Sequence, residues 1–127
     1  MMWNTNKEAM PIEERKLLQG ARLHKLIERL YHSVPFYRQK MQELNLLPSD
    51  IQTIEDIKKL PFTTKEDMRD NYPTGLFAVP QSEIVRVHAS SGTTGKPTIV
   101  GYTRRDLAVW SECIARCLTA YGVTRED

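Results

Sequence analysis

The most informative segment of the sequence reads Ser90-Ser91-Gly92-Thr93-Thr94-Gly95-Lys96-Pro97. It lies between two short stretches, residues 84–88 and 98–102, in which the mixture of apolar and polar residues is typical of strands. The two glycines let the backbone direct its amides toward one point, four hydroxyl groups add donors, and Lys96 adds a positive charge. The segment therefore predicts a cradle for a polyphosphate anion.

Three other kinds of segment share part of this composition. A solvent-exposed hairpin turn would also be rich in serine, threonine and glycine, so composition alone leaves that alternative open. The nucleotide-hydrolase motif G-x-x-x-x-G-K-[ST] would need glycine at Ser90 and a hydroxyl residue at Pro97. The dinucleotide motif G-x-G-x-x-G fails as well, because Gly92 and Gly95 stand alone and no long helix opens from them. Neither common phosphate motif is present.

The residues before this segment have the pattern of helices. Apolar side chains recur at helical spacing from Ile12 to Val34, and a second, shorter helix is predicted over residues 36–46. The two helices are separated at Val34-Pro35, because a residue before proline is disfavoured in the helical conformation. The sequence therefore predicts a helical hairpin in its first third.

Three threonines predict further helix starts, because each is followed three residues later by an aspartate that can complete a capping pair. The last of these helices is expected to end at Gly122, and the two tryptophans, Trp3 and Trp110, are expected to be buried anchors. The threonine and aspartate pairs are Thr53 with Asp56, Thr64 with Asp67, and Thr103 with Asp106.

Charge and apolar runs narrow the class of protein. The 127 residues include 18 basic and 16 acidic side chains, for a net charge of +2, which argues against a nucleic-acid partner. The longest apolar run, residues 76–79, is too short to span a bilayer, and the start has no secretory signal. We expect a cytoplasmic protein with no membrane partner.

The metal-binding residue types are too scattered to form a recognisable site. Cys113 and Cys117 are four residues apart and are expected to be unpaired thiols, and the three histidines occur singly. His88 alternates with Val87 in a predicted strand, so a packing or solvent-facing role is favoured over a general base. No metal site is predicted.

The loop and its flanks resemble phenylacetate-CoA ligases, which are AMP-forming enzymes of the adenylate-forming superfamily. The loop matches the pattern hydroxyl-hydroxyl-Gly-hydroxyl-hydroxyl-Gly-x-Pro, and the resemblance extends through nearly the whole chain. One departure from the wider superfamily is that Thr98, rather than lysine, follows Pro97, with Lys96 two places earlier. The matching flanks are Ser33-Val34-Pro35-Phe36-Tyr37-Arg38, Leu60-Pro61-Phe62-Thr63-Thr64-Lys65, Asn71-Tyr72-Pro73, Gly75-Leu76-Phe77-Ala78-Val79-Pro80, Arg86-Val87-His88-Ala89-Ser90-Ser91 and Gly101-Tyr102-Thr103.

This resemblance implies an α/β fold. A helical segment over residues 1–70 is followed by the beginning of the large ATP-binding (adenylation) domain over residues 71–127, with short strands, the phosphate loop 90–97 and a helix. It implies that this domain is incomplete at its C-terminus and that the fragment alone is inactive. The implied ATP ligands are Ser90, Ser91, Gly92, Thr93, Thr94, Gly95 and Lys96, with none of them acting as a nucleophile.

The resemblance also implies a reaction and its ligands. The parent enzyme would join an aryl carboxylic acid to CoA through an acyl-adenylate made from ATP, in phenylacetate catabolism. CoA and Mg²⁺ would be bound mainly beyond Asp127, and a homodimer could form through the N-terminal helices. The alternative from another class is a stand-alone helical interaction module, in which residues 1–70 bind a partner and the Ser/Thr/Gly hairpin has no function.

Overall fold

The computed structural model describes residues 1–90, 97–124 and 126–127. Within these residues the order is helical, then a short sheet, then a final helix. Three 3₁₀ turns lie at Pro48–Asp50, Ile54–Lys59 and Gln81–Glu83. The helices are α1 (Thr5–Glu8), α2 (Ile12–Ser33), α3 (Pro35–Glu43), α4 (Lys65–Asp70) and α5 (Arg104–Ala120), and the strands are β1 (Arg86–Ala89) and β2 (Ile99–Tyr102).

The break between α2 and α3 lies where the sequence predicts it. Val34 is extended, with φ −123° and ψ 102°, and Pro35 occupies the first turn of α3, where a missing backbone N–H costs nothing. α3 ends at Glu43, whereas the sequence predicts that this helix continues to residue 46. The cause is Asn45, which adopts a left-handed φ of 55° and lets the Leu46 N–H donate to the Met41 carbonyl at 2.9 Å.

The apolar core lies between α2, α3 and the turn that follows them. Ile27, Met41 and Ile51 form a buried cluster. Gly20 of α2 lies so close to the chain around Gln52 that an added Cβ would be 3.1 Å from the Gln52 carbonyl oxygen. Partly buried side chains surround the cluster, namely Leu23, Leu30, Tyr31, Leu46 and Leu60.

The three predicted threonine–aspartate pairs all begin helices. In each pair the aspartate accepts from the backbone N–H of its threonine, at 2.7 to 2.8 Å. The first pair starts a 3₁₀ helix and the others start α4 and α5. The local sequence therefore determines where these elements begin.

The sheet is a two-stranded antiparallel hairpin. Arg86 pairs with Tyr102 and Ala89 pairs with Ile99, which fixes the register along both strands. α5 begins directly after β2 and is followed by Gly122 with a φ of +91°, which suits a helix end. The predicted sequence of helices, strands and a last helix is confirmed, as a partly helical chain with a small sheet. None of the described helices combines the length and apolarity needed to cross a bilayer.

Candidate functional site

The β1–β2 hairpin holds the two ends of the predicted phosphate loop together. Beyond the last strand pair, the Ser90 N–H donates to the Thr98 carbonyl at 3.0 Å, and the Thr98 N–H donates to the Ser90 hydroxyl oxygen at 3.1 Å. This exchange extends the ladder by one pair. The hydrogen bonds between Ser90 and Thr98 therefore fix the positions at which the loop begins and ends.

Of the predicted phosphate ligands, the structure describes Ser90. Its hydroxyl oxygen accepts from Thr98, and its own proton remains able to donate to a ligand, because a hydroxyl group can do both. Ser90 is exposed to solvent. The other predicted ligands lie outside the described residues, namely Ser91, Gly92, Thr93, Thr94, Gly95 and Lys96.

A glycine in β2 sets the position of the hairpin against the preceding chain. A Cβ added to Gly101 would lie 2.7 Å from the Cζ atom of Phe77 and 3.1 Å from the Cδ1 atom of Ile84. No side chain larger than hydrogen fits there unless the Phe77 ring moves. The contact explains why this strand position carries glycine, which otherwise weakens a strand.

Three rings connect the hairpin to α5. His88 of β1 lies 4.9 Å from the Tyr102 ring and 5.6 Å from the Trp110 ring, measured between centroids. Tyr102 and Trp110 stack at 5.4 Å with an interplanar angle of 23°. His88 therefore packs against aromatic rings, as the sequence indicates. The prediction that Trp110 is buried is wrong, because 42% of its surface is exposed.

The N-terminal residues contact α5 through one carboxylate. Glu112 accepts from the indole N–H of Trp3 at 3.0 Å, from the Asn4 amide at 2.8 Å and from Arg116 at 2.7 Å. The hydrogen bonds from Arg116, Trp3 and Asn4 lower the pKa of Glu112 to about 2. Trp3 is half exposed, so its predicted burial is also wrong, and it acts as a hydrogen-bond donor. The sequence gives no local signal for a contact spanning more than 100 residues.

The described residues contain no group of three or more histidine, cysteine, aspartate or glutamate side chains arranged to hold a metal ion. Cys113 and Cys117 are exposed free thiols on α5, as their spacing predicts.

Comparison with known proteins identifies close relatives. No protein-family model matches the chain. A phenylacetate-coenzyme A ligase of Thermus thermophilus is 51% identical over 122 residues, which is 96% of this chain and 27% of that protein. The phenylacetate-coenzyme A ligase of Escherichia coli K12 is 46% identical over 94% of this chain and 28% of its own length.

Solved structures of a CoA ligase share the fold of this chain. An open conformation of 2-hydroxyisobutyryl-CoA ligase, in complex with 2-HIB-AMP and CoA, matches with a TM-score of 0.84 and 32% identity, over 96% of this chain and 29% of that one. The same ligase in the thioesterification state matches with a TM-score of 0.81 and 36% identity, over 91% of this chain and 25% of that one.

The chain spans about a quarter of the length of the curated relatives that it matches. The agreement includes the order of elements around the hairpin, because nearly all of the chain is aligned in both kinds of comparison. By sequence the chain is similar to about a quarter of the length of the phenylacetate-CoA ligases, and by fold it is similar to the matching part of 2-hydroxyisobutyryl-CoA ligase.

Proposed function

We propose that the chain forms part of an AMP-forming CoA ligase and supplies the loop that binds the phosphates of ATP. The main support is the identity of about one half to phenylacetate-CoA ligases. A match of 122 residues within a chain of 127 necessarily includes residues 90–97. A solved CoA ligase that is 36% identical carries an acyl-adenylate, 2-HIB-AMP, which is the product of the first half of such a reaction.

In the proposed reaction, a carboxylate oxygen of the acid attacks the α-phosphorus of ATP. The bond from that phosphorus to the β-phosphate oxygen breaks, and pyrophosphate leaves with the bonding electron pair. The thiol of CoA, after losing its proton, then attacks the acyl carbon and expels AMP. Negative charge develops on the β- and γ-phosphates in the first step, so donors positioned there lower its barrier.

The residues of this chain would bind and orient those phosphates. The hydrogen-bonded pair of Ser90 and Thr98 fixes the two ends of the loop, which reduces the ordering required when ATP binds. The loop amides, its hydroxyl groups and Lys96 would meet the pyrophosphate end of ATP. Residues 71–127 would then begin the ATP-binding domain, and residues 1–70 would form a helical segment before it.

The other ligands belong mainly to other parts of such an enzyme. The described residues contain no metal-binding cluster, so Mg²⁺ would be held by the nucleotide phosphates and by side chains outside this chain. We propose an aryl carboxylic acid as the substrate, because relatives at 51% and 48% identity are named for phenylacetate. CoA would likewise be bound mainly by the remaining three quarters of the enzyme.

A chimeric ligase tests this function. The matching segment of the Thermus thermophilus ligase is replaced by this chain, and phenylacetate-dependent release of pyrophosphate is measured. We expect an active chimera, and we expect Gly92→Ala with Gly95→Ala to lower kcat/KM for ATP by about 100-fold, because the amides lose their common direction. Gln42→Ala with Ser49→Ala, which changes two exposed positions outside the loop, is the control and should leave the activity unchanged. A folded chimera without activity would overturn the proposed function.

A further inference from the structure

A broad groove runs between α2 and α5. One wall is the face of α2 that carries Arg15, Arg22 and Arg29, which are seven residues apart and therefore point to the same side. The other wall is the face of α5 that includes Val109 and Glu112. The floor comes from residues 76–79, 84–85 and 99–101, so the groove adjoins the phosphate hairpin.

The groove is strongly basic although the chain as a whole is nearly neutral. Eight of the 18 lysine and arginine residues line it, against three of the 16 aspartate and glutamate residues, counting those in the described part of the chain. Two of the three acids are already engaged, since Asp106 accepts from Thr103 and Glu112 accepts from Arg116. The positive charge of the groove is therefore largely uncompensated.

At least half of these eight cations form no ion pair within the described part of the chain. Arg15, Arg22 and Lys25 on α2, and Arg104 on α5, form no ion pair with any residue that the structure describes. All four are exposed. Like charges gathered in this way repel one another, so an anionic surface placed over them would relieve the repulsion.

The two walls are close enough to act on one ligand. Hydrogen bonds from the backbone and hydroxyl of Thr103 lower the pKa of Asp106, and the charges of Arg29 on α2 and Arg105 on α5 lower it further. Arg29 and Asp106 both line the groove and are therefore near enough to interact electrostatically. A ligand lying between the helices would contact basic side chains from both walls.

The size and apolar character of the groove favour a polypeptide ligand. Its volume is about 1680 Å³, and sites for small molecules typically enclose about 300 to 1,000 Å³. Leu26, Val85 and Val109 are exposed along it. An amphipathic segment with apolar residues facing the floor and acidic residues facing the walls would satisfy both features, as in helix-in-groove recognition.

We infer that this groove is the docking site for an acidic, amphipathic segment of the remaining ligase polypeptide. The inference rests on the proposed function. The chain covers only 25 to 29% of the solved ligases that share its fold, so most of a ligase of this kind lies outside the matched region. Charge complementarity selects an acidic segment of that remainder as the one that covers the groove.

The experiment uses the whole 127-residue chain and a peptide array. The array carries overlapping peptides of about 20 residues, each spanning about 30 Å as a helix, from the part of the Thermus thermophilus ligase outside the match. We expect the labelled chain to bind an acidic, amphipathic peptide. In solution, Arg22→Glu with Arg29→Glu should weaken that binding at least about tenfold, because attraction becomes repulsion. Lys58→Glu with Lys65→Glu, which reverses two exposed charges outside the groove, is the matched control.

Each other outcome overturns the inference. These outcomes are no bound peptide, binding of a peptide without acidic residues, and binding that both double variants reduce equally. Sedimentation of the chain as a dimer that the Arg22 and Arg29 reversals dissociate would assign the groove to a second copy. The chimera separates this inference from the proposed function, because it joins both parts covalently and its loop variants report on phosphate binding whether or not an isolated peptide binds. If the chimera is active and no peptide on the array binds the chain, only the docking site is rejected.

Discussion

The two ends of the molecule differ in how they are held together. In the helical region, residues 12–70, Val34, Met41 and Ile51 have at most 2% of their surface exposed. In the hairpin region, residues 84–124, the only buried residue among those described is Thr119, which is polar. The helical region has a small core of its own, whereas the described residues of the hairpin region form none.

The hairpin region is not short of apolar residues. Val87, Trp110, Ile114 and Leu118 are between 42% and 54% exposed. Two strands and one helix cannot enclose side chains on both faces, since an isolated two-stranded sheet is at best marginally stable. The difference teaches that the hairpin region needs further structure to cover it, which agrees with relatives that are about four times as long.

The comparison predicts that removing a core side chain from the helical region has the largest effect on stability. Ile51→Ala should lower the free energy of unfolding by about 2 to 5 kcal/mol, because Ile51 is fully buried and its loss leaves a cavity. Urea denaturation followed by circular dichroism measures the change. Ile114→Ala removes the same atoms from a half-exposed site and should cost less than about 1 kcal/mol. Equal losses in the two variants would contradict the comparison.

A smaller effect is expected at the junction between the hairpin and the preceding chain. Gly101→Ala should cost about 1 to 3 kcal/mol, because the new methyl group overlaps the Phe77 ring. The cost should fall when the same change is made in a Phe77→Leu background, where the ring is absent, and a double-mutant cycle isolates this coupling. The same urea measurement applies. Additive effects would show that the ring does not limit the site.

Local features of the fold could be predicted from the sequence, because they depend on near neighbours. The break at Val34-Pro35 and the start of α5 at Thr103 involve contacts within three or four residues, and the structure confirms both.

Features that join distant parts of the chain could not be predicted. The bonds from Trp3 to Glu112 and the contact of Gly101 with Phe77 depend on how the elements pack, and no periodicity encodes them. Trp110 is predicted to be buried but is exposed, because an aromatic side chain is buried only where enough structure is present to cover it. The groove was missed for a related reason. A net charge of +2 conceals a concentration of cations that exists only after α2 and α5 face each other.

The smallest effect concerns the contact that links the N-terminus to the hairpin region. The pKa of Glu112 is lowered in the folded chain from 4.5 to about 2, so folding favours its ionised form. The stabilisation is therefore complete above about pH 4.5 and is lost as the pH falls toward 2. Because the group lies near solvent, we expect a local detachment of Trp3 rather than global unfolding.

Trp3 fluorescence in a Trp110→Phe variant measures this detachment, since Trp3 is then the only tryptophan. The emission should stay constant from neutral pH to about 4.5 and then shift to longer wavelength between pH 4.5 and 2, as the indole loses its carboxylate partner. Glu112→Gln, which keeps the shape but removes the charge, should abolish this titration. Glu55→Gln, an exposed position, should leave it unchanged. A titration that survives Glu112→Gln would show that another group controls the contact, and the two ends of the chain would then be joined by packing rather than by this carboxylate.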